Sequence, residues 1–245
     1  MMLMGIDSST PQASIALLKN GQVLSQAESD ESTTVSNQIL FLIDNVLTST
    51  GVSLTDLDGF CLTTGPGSFT GLRVGASILK GLLLATSKPF LKIDTLEALA
   101  LQAMPTRNKI CAILDARKKE VYTAQFFDNN GVLERLTPDR ALTPNQLCKE
   151  ITDPTIFIGN GLNSYKSFLV NQLEGKFIPA QSKFADTVAA CAARLAEKRF
   201  TKTKTTNIDE LTIKYVRKSE AELKLEKKIF TQREKNNYGD RKRSF

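Results

Sequence analysis

Three clusters in this sequence have residue types and spacing that could do chemistry. The first is Gly65-Pro66-Gly67-Ser68, a glycine-rich turn between an apolar run and an apolar helix. Free N–H groups at a helix start attract anions, so such a turn can cradle phosphate, or it can be structural. The second is a pair of acidic turns, Asp7-Ser8-Ser9-Thr10 and, at the matching place in the second half, Asp115-Ala116-Arg117. They suit either two loops around nucleotide phosphates or two ordinary Asp-containing turns. The third is Gly159-Asn160-Gly161, where backbone comes close to a ligand or merely turns.

The chemistry open to these residues is narrow. The turn before the helix is neither GxxxxGK[ST] nor GxGxxG. Ser68 as a nucleophile would need a base, and the chain contains no histidine, which excludes a Ser-His-Asp triad. A Ser–Lys dyad with Lys80 is formally open, but nothing in the sequence positions it. A metal would have to rely on carboxylates, and no paired cluster is evident. Ser68 does sit where an N-cap belongs.

The elements that must hold these clusters follow from hydrophobic period and turn residues. Met2–Asp7, 13–18 and 23–28 read as an antiparallel meander, with Asn20-Gly21 as a hairpin turn. Ser32-Thr33-Thr34 is placed to cap a helix that Gly51 ends. A strand over 59–64, the apolar helix, a strand at Phe90–Ile93 and a helix from 95 to about 103 complete the first half. After a linker at 104–108, strands at Lys109–Asp115, 120–127 and 132–136 precede a helix at Pro144–Glu150, a strand at Thr155–Ile158 and a long helix over 185–200. The order repeats without residue-level repetition, which predicts two similar α/β lobes: 1–104 and 109–216, the last helix packing back on the first lobe, then a basic tail over 217–245.

The helix after Ser68 is too apolar for a one-faced surface helix. Gly67, Gly71 and Gly75 form one stripe, Val74, Ile78 and Leu82 a second, and Leu72, Leu79 and Leu83 a third. Such a helix is either buried in its own domain or packed on its own sheet and on a second subunit. On the docking reading, one of the first two stripes faces the protein's own lobe and the other a partner; which is which stays open.

The 245 residues are 41% hydrophobic and 24% charged, a soluble globular balance. Residues 217–245 hold ten Lys and Arg against five Asp and Glu, so most of the net charge of +6 belongs to the tail, which either binds RNA phosphates or is a solvated end. Cys61, Cys111, Cys148 and Cys191 include no CxxC pair and read as free thiols in a reducing compartment. The N-terminus has no signal-peptide pattern, and the most apolar run, 72–85, is shorter than the ~20 residues of a bilayer span. The expected location is the cytoplasm, with no membrane association.

Asp7-Ser8-Ser9-Thr10, the stretch GPGSFTGLRVG from Gly65 to Gly75, Asp115-Ala116-Arg117 with Glu120-Val121-Tyr122, Gly159-Asn160-Gly161 and the segment from Tyr215 to Glu222 together resemble the TsaB (YeaZ) family. The resemblance implies a duplicated, actin-like (ribonuclease H-like) α/β fold of the sugar kinase, Hsp70 and actin superfamily. It implies a non-catalytic scaffold that supports TsaD, as a heterodimer, in adding threonylcarbamoyl to the adenosine beside the anticodon of tRNAs reading codons that begin with A. The ATPase TsaE takes part, ATP is used by the complex and no cofactor is held by this subunit alone. The subunit meets tRNA through the complex and, when alone, is either a monomer or a pair with a second copy.

The resemblance also places the partner surface on the first two helices, about 34–49 and 68–85. The candidates there are Ile39, Ile43, Val46, Gly71, Val74, Gly75, Ile78 and Leu82. Asp7, Ser8, Ser9, Asp115, Gly159 and Gly161 are then vestiges of nucleotide loops. Pro11 in the first hairpin, which removes a backbone donor, agrees with that. The alternatives are an active actin-like ATPase or kinase and a peptidase-like protein.

Overall fold

The meander forms as its alternation requires. Strands β1 (Met2–Asp7), β2 (Ser14–Lys19) and β3 (Gln22–Glu28) pair antiparallel. Asn20 and Gly21, with φ of 49° and 78°, make the tight turn between β2 and β3. Helix α1 (Val35–Thr50) leads through a 3₁₀ turn at Leu54–Asp56 into β4 (Gly59–Thr63), parallel to β1. Helix α2 (Phe69–Thr86) then leads to β5 (Phe90–Ile93), parallel to β4, and α3 (Thr95–Gln102) follows. The strand order is β3-β2-β1-β4-β5. The computed structural model describes residues 1–30, 35–181 and 184–217. The Ser32-Thr33-Thr34 cap, the tail over 218–245 and most of the motif beginning at Tyr215 lie outside them.

The second half repeats this plan. Strands β6 (Lys109–Asp115), β7 (Val121–Asn129) and β8 (Val132–Arg135) are antiparallel, and β9 (Arg140–Leu142) pairs with β7. Then come α4 (Pro144–Glu150), β10 (Thr155–Ile158), α5 (Gly161–Leu173), β11 (Phe177–Pro179) and α6 (Val188–Thr203). The order β11-β10-β6-β7-β8 reproduces that of the first sheet, with β6 in the place of β1.

Strands β9 and β11 and helix α5 carry no clear signal in the sequence. Helix α5 was invisible because it buries only Gly161, Leu169 and Leu173, too sparse a stripe to register as a period. Helix α6 starts at Val188 rather than 185, since Thr187 caps it by accepting the Ala190 N–H at 3.2 Å.

The last helix of each half packs on the other half's sheet. Helix α3 lies on β6, β7 and β8, α6 lies on β1, β2, β4 and β5, and the two pack on each other. Small residues allow this: Ala98 and Ala100 in α3, and Ala189, Ala190, Ala192, Ala193 and Ala196 in α6, are fully buried. At Gly5 a Cβ would stand 2.2 Å from the Ala189 carbonyl oxygen, so α6 runs directly over the backbone of β1. The opposite face of the first sheet buries Met4, Ile6, Ile15 and Leu17 under α1 and α2.

Candidate functional site

Helix α2 begins as the sequence predicts: the Ser68 hydroxyl accepts the Gly71 N–H at 3.2 Å. It ends at Ser87, whose left-handed backbone (φ 54°) lets its N–H reach the Leu83 carbonyl. By length (18 residues) and mean hydropathy (1.2) α2 alone would pass for a membrane span. On its inner side Leu72, Ala76, Leu79 and Leu83 are buried against its own sheet.

The glycine stripe also faces inward. A Cβ on Gly67 would lie 2.3 Å from the Ser9 carbonyl oxygen, one on Gly71 2.0 Å from that of Ser8, and one on Gly75 2.1 Å from the Ser8 hydroxyl. Gly71 and Gly75 are therefore seats for the first hairpin. On α1, Ile39, Ile43 and Val46 are 0%, 5% and 1% exposed, wholly committed to the first-lobe core. Val74, Ile78 and Leu82 pack half-buried at the edge of that core.

The outward surface of α1 and α2 carries other residues. Leu40 is 58% exposed, Phe41 63%, Phe69 41% and Leu84 74%, and the Arg73 guanidinium stacks on the Phe69 ring at 3.8 Å. The sequence did hold a signal for them. The run Ile39-Leu40-Phe41-Leu42-Ile43 has more consecutive apolar residues than one buried helix face can take, so some must point outward. The apolar period selects the inner set, because burial in one's own core and in a partner produce the same stripe.

The first acidic turn faces inward, whereas the second is part-exposed. Asp7 is fully buried. Its carboxylate accepts the Ser9 N–H at 3.1 Å and the hydroxyls of Ser9 at 2.5 Å, Thr10 at 2.6 Å and Thr63. The Ser8 hydroxyl donates to the Gly71 carbonyl, and the Ser9 carbonyl accepts the Ser68 N–H at 2.8 Å. In the second lobe, Asp115 accepts the Arg117 N–H at 2.8 Å, while the Asn160 side chain accepts the Asp115 N–H at 3.1 Å. Gly159 (φ 111°) and Gly161 stand against Ile113, where Cβ atoms would come within 2.2 and 3.1 Å. These glycines serve packing of α5 on β6.

Between the halves lies a cleft of about 580 Å³, lined among others by Thr10, Gln12, Glu28, Gln102, Asn160 and Asp186. Its described lining contains no Lys or Arg. Loss of water contact, and then the charge of Asp7, push the Glu28 carboxyl above its ordinary range. Glu28 and Asp186 are the charged side chains of that described lining, and the Ser8, Ser9 and Thr10 hydroxyls of the adjoining hairpin are already bonded. Among the described residues no three Cys, Asp or Glu side chains gather into a metal-binding group.

One charged cluster was not legible in the sequence. Asp94 caps α3 by accepting the Glu97 N–H at 3.1 Å. It also meets Arg135 at 2.9 Å and Lys214 at 2.9 Å, and both cations contact Asp139 as well, Lys214 at 2.5 Å. The side chain of Asp139 is 1% exposed. Burial, then the hydrogen bond to Asp94 and its charge, push Asp139 up to about 6. Burial would raise Asp94 too, but the hydrogen bond from Asp139 with Arg135 and Lys214 outweighs it and holds Asp94 low. The group ties the end of β5 to the segment between β8 and β9.

Known proteins resemble this chain in sequence and in fold. The model of the family described as "TsaD: tRNA N6-adenosine threonylcarbamoyltransferase" matches residues 29–234. The tRNA threonylcarbamoyladenosine biosynthesis protein TsaB of Haemophilus influenzae is 31% identical over 187 residues, 72% of this chain and 79% of that protein. Among solved structures, YeaZ from Pseudomonas aeruginosa is 23% identical with a TM-score of 0.73, covering 87% of this chain and 99% of that one. The activator of 2-hydroxyisocaproyl-CoA dehydratase from Clostridium difficile, solved with ADPNP, is 13% identical with a TM-score of 0.54, covering 84% and 99%. The two-lobed fold is thus actin-like.

Proposed function

The chain belongs to the TsaB (YeaZ) family of tRNA threonylcarbamoyladenosine biosynthesis proteins, and from that premise we propose that it is a non-catalytic scaffold that docks the outward face of α1 and α2 on a TsaD-type transferase. The observation that carries this is the exposure of Leu84, Phe41 and Leu40 (74%, 63% and 58%) on two helices whose inner faces are already buried. Large apolar side chains left in water on adjoining helices are what a partner covers. Catalysis and ATP use fall to the rest of the complex, a TsaD-type subunit and a TsaE-type ATPase; this subunit holds no cofactor of its own. Support for that division comes from the cation-free described lining of the cleft and the inward commitment of Asp7. In the free protein the same face pairs with a second copy. The protein works in the cytoplasm.

The test is co-purification with TsaD, with and without ATP. Leu84→Asp and Phe41→Asp are each expected to weaken binding by at least about 2 kcal/mol, roughly 30-fold, with an unchanged circular dichroism spectrum. Ile43→Asp is the contrast: a charge buried without a partner costs several kcal/mol and unfolds the chain before binding can be read. Full TsaD binding by the Leu84→Asp/Phe41→Asp double variant overturns the docking face. ATP turnover by the pure isolated protein, lost on Gln12→Ala in the cleft, overturns the scaffold reading in favour of an active ATPase.

A further inference from the structure

Between β6 and β7 the chain turns through Arg117, Lys118 and Lys119, and all three adopt left-handed backbone, with φ of 61°, 53° and 62°. Residues with a Cβ resist that conformation because it crowds the following carbonyl, whereas glycine adopts it freely. Three consecutive cations here hold a conformation that glycine adopts more readily. Such strain persists where the surroundings hold it and tends to mark functional positions.

The surroundings here do hold it. The Asp115 carboxylate accepts the Arg117 N–H at 2.8 Å, and the Arg117 carbonyl accepts the Glu120 N–H at 3.1 Å. Ala116 is buried, and its N–H bonds the Glu120 carbonyl at 3.1 Å. The three side chains stand exposed on an ordered tip, and none lines the cleft between the halves. A convex tip with cations on successive residues suits a run of phosphates laid along it rather than one phosphate group enclosed by walls.

We propose that the Arg117-Lys118-Lys119 turn is a phosphate-backbone contact for RNA, the tRNA on which the pathway acts. The proposal rests on the pathway assignment and not on the docking face of α1 and α2.

The test uses the full-length protein and an unmodified tRNA transcript, with binding followed by fluorescence anisotropy across a salt series. Lys118→Gly/Lys119→Gly removes two charges and relieves the strained backbone together. The expected result is a several-fold weaker affinity at low salt, a log–log salt slope shallower by about 1–2, and a higher Tm. Lys118→Gln/Lys119→Gln keeps the backbone requirement and should lose the same binding without the gain in Tm. Lys118→Arg/Lys119→Arg should keep the wild-type slope. An unchanged slope in both charge-removing variants overturns the proposal, as does a wild-type protein with no salt-dependent retention of tRNA. Displacement of the tRNA by ATP at matched ionic strength also overturns it, because the site would then be a nucleotide site. TsaD binding measured on the same variants should stay at the wild-type level, so failure of the scaffold reading would show separately.

Discussion

The Ser8 hydroxyl donates to the Gly71 carbonyl across 2.8 Å, and a Cβ on Gly71 would stand 2.0 Å from the Ser8 carbonyl oxygen. The first hairpin and the start of α2 are thus locked backbone to backbone. In an exposed helix Gly→Ala gains about 1 kcal/mol of helix propensity. Here the overlap dominates, and Gly71→Ala is expected to destabilise the protein by about 1–3 kcal/mol. Urea denaturation followed by circular dichroism measures it; a Gly71→Ala protein as stable as wild type would show that the two segments separate easily.

Asp7 holds the same junction through charge. It accepts hydrogen bonds from Ser9, Thr10 and Thr63 while fully buried. Asp7→Asn swaps one acceptor oxygen for a donating amide that faces other donors, at an expected cost of about 2–3 kcal/mol. The loss should appear in the denaturation midpoint of the isolated protein. A stable Asp7→Asn protein that fails only in a nucleotide assay would assign Asp7 to ligand binding instead.

Asp139 predicts an unusual pH dependence. Its carboxyl titrates at about 6 in the folded protein against an ordinary value of 3.8. Between those values the folded chain keeps a proton that the unfolded chain has released, so this group's contribution to stability falls as pH rises through the window. Asp94, held low, acts oppositely and loses its contribution as pH drops below its ordinary range. Asp139→Asn removes the first effect, so the wild type should lose stability relative to this variant on going from pH 4.5 to pH 7. A pH-independent difference between the two would mean that Asp139 is ionised throughout.

The thiols give a simple reactivity order. Burial pushes Cys61, Cys111 and Cys191 up to about 12, while Cys148 is raised less and is partly exposed. Since the thiolate is the reactive form, a disulfide reagent at pH 8 should modify Cys148 in the native protein and the other three only on unfolding. Fast native modification of Cys61 would mean that the sheet beneath α6 opens readily.

Much of this was legible in the residues themselves. Asn20-Gly21 fixed a hairpin, Ser68 a helix start, and the alternation of strand and helix signals a duplicated plan, because turn chemistry and hydrophobic period are local properties. The glycines at 67, 71 and 75 declared a close approach of another backbone. The identity of that backbone was not local: it belongs to Ser8 and Ser9, some sixty residues earlier, and only the parallel pairing of β1 with β4 brings them under α2. The same limit applies to α1. Ile39, Ile43 and Val46 carry a clear apolar stripe, but a stripe says that a face is buried and not in what. Packing on the sheet claimed that face and left Leu40, Phe41 and Leu84 outside. The meeting of Asp94, Asp139 and Lys214 was equally out of reach, since charges far apart in the chain acquire shifted protonation only when the fold removes them from water together.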